Sequence, residues 1–474
     1  FFHCFVMDIE YDVAIVGGGP IGLSTAYELA TQRGQRVIVF EKSSLHNAFG
    51  SSPGFGRQWR IPYAEKWLLE LTIQASSAWD DLMNQTNHHN LVDRTGVLWF
   101  GDPTVTTPEG QINAAAKNME ELKQEYTLFN DPTELKERFP WLASGIDAEP
   151  STVGMFAPDG GTINIPAVFH ALLHSLYASK RAIIEENTQI TKISVHEAGV
   201  TLSDQFGNVT KAKKLVLTPG AYINEVLDTF EPSYPSRLHL TIYLWMSNYY
   251  KLNLPSSEIT TIPNRLPRPS SDNWPVWIYF GPVDETNTDE DKPVNGNSYY
   301  GFPSDVQDAA FDSRVAPGFT STSKFTFYDK PPKPEERSFD EPAIDFTKQF
   351  IGKWMKTSVN PNEMDPRKSS TCIAGFATLA DGSNTVDAEG FVLDILPNTH
   401  DNVVVCTGGW AMKFVPLFGR IISDLIETGK APNYKIEDMR WNRGITIDQN
   451  KCGVCPAKEL PHHKRLRMQR RVCH

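Results

Sequence analysis

Glycines near the start of the chain form a pattern that suits a dinucleotide pyrophosphate. Gly17, Gly19 and Gly22 follow an apolar run, Val13–Val16, and open a helix-like segment. The first glycine allows a sharp turn, the second lets backbone approach a pyrophosphate, and the third lets the helix pack closely on the strand. Glu41 ends the next apolar run, where a carboxylate accepts hydrogen bonds from a ribose. An ordinary glycine turn does not require that acid, so the stretch predicts a dinucleotide site of either the nicotinamide or the flavin type.

Two later segments repeat the order of apolar run, glycine and helix. Lys214–Leu217 leads into Gly220, and Asn402–Cys406 leads into Gly408 and Gly409. Glycines directly after strands let backbone come close to a bound cofactor. We therefore expect segments far apart in the sequence to share one sheet and one binding site.

Composition and charge narrow the class of protein. The chain has 474 residues, 40% of them hydrophobic and 22% charged, which predicts two domains with well-filled cores. A net charge of -12 argues against a nucleic-acid partner. No apolar run approaches the ~20 residues of a membrane span, and Phe1–Val6 is too short for a secretory signal, so no membrane partner is expected.

The C-terminal residues, 447–474, are predicted to form a flexible basic tail. From Lys451 onward they hold seven Lys or Arg and one Glu. Cys452 and Cys455 stand near several histidines, but the second well-spaced pair of a zinc site is missing, so no metal site is predicted. The six scattered cysteines do not form a disulfide framework.

Periodicity places most of the regular elements. Apolar residues recur at helical spacing in some segments and alternate in others. The predicted helices are 64–83, 111–126, 165–177 and 415–428, and the predicted strands include 182–195, 199–203, 238–253 and 274–280.

Seven short motifs occur in order between residues 10 and 445. They are Gly17–Gly22 with Glu41, Gly56–Arg60, Arg94–Gly101, Lys214–Ala221, Tyr299–Pro303, Cys372 and Gly408–Phe414. Together they resemble the FAD-dependent amine oxidases of the D-amino-acid-oxidase superfamily, the group of monomeric sarcosine oxidase, N-methyltryptophan oxidase, pipecolate oxidase and the fructosyl amino acid oxidases. The resemblance implies that the dinucleotide is FAD.

The resemblance also implies an α/β architecture of two domains. A Rossmann-like FAD-binding domain is expected from three discontinuous segments, residues 7–97, 153–231 and 372–446. A substrate domain built on a mixed or antiparallel sheet is expected from residues 98–152 and 232–371.

Cofactor contacts are implied for residues from both ends of the chain. These are Gly17, Gly19, Pro20, Ile21, Gly22, Glu41, Lys42, Ser51, Ile190, Gly220, Cys372, Gly408, Gly409 and Lys413. Cys372 stands where family members attach the flavin covalently through a cysteine sulfur. Its alternative is a small buried apolar residue, the usual state of a free cysteine.

Substrate contacts are implied for four residues. Arg60 and Lys413 match the two cations that hold a substrate carboxylate, and an arginine fork with an ammonium gives both energy and orientation. Tyr299 matches a tyrosine that lines the pocket. Trp410 replaces a histidine typical of relatives and makes the wall bulkier and more apolar, so sarcosine itself is not the obvious substrate.

Catalytic roles are implied for two further cations. Arg57 matches an arginine near the flavin face. Lys324 is the candidate for the lysine that activates oxygen by stabilising superoxide as it forms. The histidine expected four residues later would fall at Tyr328, a departure from the family pattern.

The resemblance implies oxidation of an amino acid's C–N bond, with a secondary amine or N-substituted amino acid as substrate. The product would be an imine, hydrolysed to a carbonyl and an amine, and oxygen would give hydrogen peroxide. Primary, cyclic and glycated amino acids remain open as substrates. A dehydrogenase with another electron acceptor and a non-catalytic flavoprotein are the alternatives. A monomer in the cytoplasm or peroxisome is expected, although Val472–His474 is not a peroxisomal address of the Ser-Lys-Leu type.

Overall fold

The computed structural model describes most of the chain between residues 10 and 448. The described ranges are 10–107, 109–253, 259–260, 268–269, 274–282, 296–302, 312–317, 327–328, 330–339, 341–366, 369–377, 390–442 and 444–448. The α-helices in these ranges are α1 Pro20–Tyr27, α2 Lys66–Thr86, α3 Ile112–Glu121, α4 Pro132–Arg138, α5 Ala143–Ala148, α6 Ile165–Ser179, α7 Ile223–Leu227, α8 Glu341–Trp354 and α9 Val415–Thr428. None of these helices has both the length and the apolar content that crossing a bilayer requires.

The strands alternate with these helices and form several sheets. In chain order they are β1 Glu10–Val16, β2 Val37–Phe40, β3 Gly56–Arg60, β4 Val92–Asp93, β5 Val97–Gly101, β6 Thr127–Phe129, β7 Val153–Ala157, β8 Gly160–Asn164, β9 Ala182–Glu185, β10 Ile190–His196, β11 Gly199–Asp204, β12 Val209–Leu217, β13 Ser236–Leu238, β14 Leu240–Ser247, β15 Tyr249–Leu252, β16 Ile259–Thr260, β17 Arg268–Pro269, β18 Val276–Pro282, β19 Gly296–Phe302, β20 Asp312–Pro317, β21 Phe327–Tyr328, β22 Val359–Met364, β23 Ser370–Ala377, β24 Val392–Ile395, β25 Val403–Thr407 and β26 Thr446–Asp448.

The first large sheet carries the glycine turns at one edge. β1 lies between β2 and β12 and is parallel to both, and β25 continues the parallel set beyond β12. Helices α1, α6 and α9 pack against one face, and the strands are buried, as in other parallel sheets covered by helices. α1 and α9 approach closely at Gly419 because this residue has no side chain. A Cβ there would lie only 2.5 Å from Ser24 Oγ. Sequence-distant segments therefore share this sheet, as expected.

The second large sheet is mostly antiparallel and has an aromatic core. Its strand order is β22-β15-β20-β19-β18-β5-β7-β6. Helix α8 covers it, with the Phe350 ring stacked on Tyr299 at 4.3 Å and on Trp277 at 5.6 Å between centroids. Next to it, β14 pairs with β23 from Leu240↔Ala377 to Ser247↔Ser370. These two sheets agree with the predicted α/β architecture.

Some predicted segments differ from the structure in their bounds or in the sheet that they join. The strand expected over 182–195 is split into β9 and β10, which lie at opposite edges of the first sheet; Asn187 between them has a left-handed φ of 54°. The helix expected over 111–126 stops at Glu121, since Lys123 has a φ of 54°. β7, assigned by the prediction to the FAD-binding domain, pairs with β5 and β6 in the second sheet.

Candidate active site

The larger cavity opens at the carboxyl ends of four parallel strands, β1, β2, β12 and β25. This edge is where α/β sheets bind ligands. Of the residues predicted to contact the cofactor, those that line this cavity are Gly17, Gly19, Pro20, Ile21, Glu41, Lys42, Ser51, Ile190, Gly220, Gly408 and Gly409. Cys372 and Lys413 line a second cavity, and Gly22 lies behind the first glycine turn.

The glycine turn is shaped as a cradle for phosphate. Gly17 has a φ of +115°, and a Cβ on it would lie 2.4 Å from Thr218 O. A Cβ on Gly22 would lie 2.0 Å from Gly17 O, so both glycines are required by close backbone packing. At Gly19, by contrast, a Cβ would meet only Ser52 Oγ, at 3.8 Å, because this residue faces the cavity. Gly19 is also the N-cap of α1 and makes no side-chain cap, so the N-terminus of this helix is available to an anion.

Glu41 is held at the end of β2 by two backbone amides. Gly18 N donates to Oε2 and Ser43 N donates to Oε1, each at 2.9 Å. Burial raises the pKa of the Glu41 carboxyl, although both amides oppose the rise. Glu41 lines the cavity, and its oxygens have further lone pairs that can accept hydrogen bonds from ribose hydroxyls.

Lys42 lies over an aromatic ring on the same wall. Its Nζ is 3.4 Å from the centroid of the Tyr222 ring and 3.9 Å from Glu225 Oε2. Burial lowers the pKa of the Lys42 ammonium. The glycine cradle and the open N-terminus of α1 match the pyrophosphate of a dinucleotide, and the Glu41 carboxylate matches its ribose. This edge of the sheet therefore fits FAD.

A second cavity adjoins the first and is lined by three of the four predicted substrate residues, Arg60, Trp410 and Lys413. Both cavities share Ser51, Arg57, Gly409, Ala411 and Met412. The second cavity is further lined by Gln58, Arg60, Glu109, Trp245, Ser247, Tyr300, Phe302, Cys372, Ile373, Ala374 and Lys413.

Arg60 and Lys413 converge on the same two aromatic rings. Arg60 Cζ lies 4.8 Å from the Tyr63 centroid and 6.0 Å from that of Trp410, and Lys413 Nζ lies 5.9 and 5.8 Å from the same rings. Both side chains are buried. Trp79 Nε1 donates to Lys413 O at 2.8 Å and fixes the turn that carries the lysine. The structure thus brings together two cations that lie 353 positions apart in the sequence.

Glu109 is a cavity residue that the sequence did not reveal. Arg60 Nη1 donates to Glu109 Oε2 at 2.7 Å, and the two side chains are only 3% and 9% exposed. No motif surrounds Glu109, and its neighbours in the sequence are turn residues, so spacing alone gave no signal.

Aromatic side chains close one side of the second cavity. The Trp410 ring meets Trp245 and Phe376 edge-on, with centroids 5.6 and 5.3 Å away. Cys372 lies directly opposite Trp245 in the β14–β23 pairing and is half-buried. The cysteine therefore lies in the second cavity, beside this aromatic wall.

Tyr299 requires a correction. Its side chain faces the aromatic core under α8, whereas the next residue, Tyr300, lines the cavity and donates its hydroxyl to Met246 O at 3.0 Å. Successive residues of a strand point to opposite faces, so a shift of one position exchanges a core residue for a cavity residue.

Of the two residues with a predicted catalytic role, the structure describes Arg57. It lines both cavities, and its guanidinium donates to the carbonyls of Gly56, Ser51 and Pro53, at 2.7–2.8 Å, and so holds the loop beside the cavities. Lys324 lies outside the described residues, as does most of the predicted basic tail.

Comparison with known proteins gives consistent matches along most of the chain. The family model described as FAD dependent oxidoreductase, DAO, matches residues 12–425. A Dictyostelium discoideum protein named as a bifunctional amine oxidase is 29% identical over 92% of this chain, which spans 37% of that protein's length. Monomeric sarcosine oxidase of Bacillus sp. (strain B-0618) is 25% identical, covering 90% of this chain and 94% of the relative.

Among solved structures, NikD, an unusual amino acid oxidase essential for nikkomycin biosynthesis, is similar in its open form. The TM-score is 0.72 and the identity 28%, over 91% of this chain and 97% of NikD.

Proposed function

The chain belongs to the DAO family of FAD-dependent oxidoreductases, and from that premise we propose that it oxidises the C–N bond of an amino acid. The observation that carries the proposal is the convergence of Arg60 and Lys413 in the cavity beside the FAD cradle. Two buried cations next to a flavin site are placed to hold a carboxylate, and amino acids carry one beside the amine to be oxidised.

Each residue of the second cavity has a positioning task in this proposal. Arg60 and Lys413 bind the carboxylate and so orient the carbon that bears the amine. Trp410 and Trp245 form an apolar wall that excludes water from that carbon. When bound, FAD supplies the redox chemistry, taking up a hydride equivalent and passing the electrons to oxygen.

The substrate class follows from the cavity and the relatives. Two relatives are named as monomeric sarcosine oxidase and N-methyl-L-tryptophan oxidase, and both named substrates are N-methyl amino acids. We expect a secondary amine or N-substituted amino acid here, with an apolar group against the Trp410 wall. We propose hydrogen peroxide as the co-product and a monomer as the oligomeric state. The cytoplasm or peroxisome stays a prediction for the compartment.

Anaerobic reduction of the flavin tests the proposed function. A panel of N-methyl, cyclic, primary and glycated amino acids is mixed with the holoenzyme, and loss of the visible absorbance of oxidised flavin is recorded. We expect the N-substituted members to reduce the flavin. If no amino acid does so, the proposed function is wrong. Peroxide formation under air then separates an oxidase from a dehydrogenase, which would turn over only with an artificial acceptor.

Covalent attachment through Cys372 makes a separate prediction. Flavin fluorescence should remain with the acid-denatured chain of the wild type and should be released from Cys372→Ala, because only the former would have a carbon–sulfur bond to the cofactor. Cys406→Ala removes the other described cysteine, which also lines the FAD cavity. Burial raises the pKa of the Cys406 thiol, which disfavours the nucleophilic thiolate, so the flavin of this variant should stay attached to the denatured chain. Release from the wild type, or retention by Cys372→Ala, would contradict the attachment.

A further inference from the structure

Glu109 places a carboxylate inside the cavity that is proposed to bind a carboxylate. Its Oε2 lies 2.7 Å from Arg60 Nη1, and both side chains are almost fully buried. A buried charge pair interacts strongly because the surroundings screen it poorly. Glu109 therefore neutralises much of the positive charge that Arg60 brings to the substrate.

The backbone around Glu109 holds it in this position. Its own N–H donates to Thr107 Oγ1 at 3.1 Å, while Thr107 and Gly110 exchange two backbone hydrogen bonds at 2.9 and 3.0 Å. Gly110 has a φ of +121°, and a Cβ there would lie 3.1 Å from the Trp99 ring. The carboxylate is thus presented by a tight turn that packs against the buried second sheet.

The charges that line the cavity can be counted among the described residues. They are Arg57, Arg60, Lys413 and Glu109. Arg57 keeps its charge, but its guanidinium donates to three loop carbonyls, those of Gly56, Ser51 and Pro53. In the proposed carboxylate site itself, Arg60, Lys413 and Glu109 together leave a net charge of one positive unit, which balances one substrate carboxylate.

We infer that Glu109 is a specificity-determining residue that restricts the site to monocarboxylic ligands. This inference rests on the proposed function, because it takes Arg60 and Lys413 as the carboxylate site. A second carboxylate beside this site would meet Glu109, while Arg60 and Lys413, the cations of the site among the described residues, are already balanced by Glu109 and the first carboxylate. Uncompensated like charges in a desolvated site are strongly unfavourable. Amino acids with one carboxylate are therefore favoured over their dicarboxylic analogues.

Binding of propionate and succinate to the holoenzyme tests the inference without any need for turnover. Succinate is propionate with a second carboxylate in place of a methyl hydrogen, and either acid, bound beside the flavin, would perturb its absorbance. Wild type is expected to bind propionate more tightly than succinate by about tenfold or more. In Glu109→Gln, which keeps the shape and removes the charge, that ratio should fall by about tenfold.

Two further variants complete the design. Glu109→Asp retains the charge and should retain the preference for propionate. Glu121→Gln, which removes a carboxylate from an exposed ion pair with Lys66, should leave the ratio unchanged.

The inference is overturned if wild type binds succinate as tightly as propionate, a result that does not depend on any variant folding. It is also overturned if Glu109→Gln binds propionate but keeps the wild-type ratio. Binding of neither acid by wild type would remove the carboxylate site and the role of Glu109 together. Reduction of the flavin by amino acids is decided independently, by the anaerobic panel.

Discussion

Replacing Lys413 by methionine is expected to lower kcat/KM for the amino acid substrate by about a hundredfold or more, corresponding to about 3 kcal/mol. Methionine keeps most of the length and the apolar stem of lysine but removes the ammonium. Without it, the substrate carboxylate would enter a buried site in which Arg60 is the remaining cation of the pair, and Arg60 is already bound to Glu109. Steady-state kinetics on the variant measure the loss.

The division between KM and kcat shows which role the lysine has. A rise in KM alone would mean that Lys413 binds ground state and transition state equally, whereas a fall in kcat as well would mean that it also orients the reacting carbon. Lys435→Met is the matched control, since Lys435 is 73% exposed and pairs with Glu70 at the surface. Its kinetics should equal those of wild type. Unchanged kinetics in Lys413→Met would remove this residue from the substrate site.

The FAD cradle could be predicted from the sequence because its determinants are local. Gly17 has a φ of +115°, which favours glycine, and a Cβ on Gly22 would meet the backbone of Gly17, so much of the constraint acts within one short segment. Thr218, which follows a distant strand, also packs against both glycines. The acid at the end of β2 lies at a fixed distance along the same unit, and Glu41 reaches Gly18 as that geometry requires. Most of the residues that determine such a motif lie within it, so the sequence shows them directly.

The substrate cavity could be predicted only in part. Arg60 and Lys413 can be predicted because they match the carboxylate-binding cations of the family that the sequence resembles, and the fold brings the two together. Glu109 belongs to no motif; its position depends on a long-range pairing with Arg60 across 49 positions. Tyr299 shows a third limit, because a strand periodicity of two makes core and cavity residues neighbours in the sequence. Choosing between Tyr299 and Tyr300 required the register of β19 against β18.

The glycine cradle makes the second large prediction, that Gly22→Ala removes most of the bound FAD. The new Cβ would lie 2.0 Å from Gly17 O and 2.7 Å from Thr218 Oγ1, so α1 must move away from the turn that would hold the pyrophosphate. Forcing a methyl group into such a packed site costs about 1–3 kcal/mol or more. Flavin binding depends on the displaced turn, so we expect an occupancy loss well beyond that of a surface variant. The ratio of flavin to protein after purification and the midpoint of thermal unfolding measure both effects.

Gly352→Ala separates this steric effect from the general consequence of replacing a glycine. Gly352 lies in α8, and a Cβ there would have no atom within 4 Å among the described residues. Alanine is favoured over glycine in a helix by about 1 kcal/mol, so this control should keep its full flavin content and unfold at an equal or higher temperature. If Gly22→Ala also retained full flavin, the close packing of α1 on the glycine turn would not be what holds the cofactor. In that case Glu41 and the open N-terminus of α1 would have to supply the affinity instead.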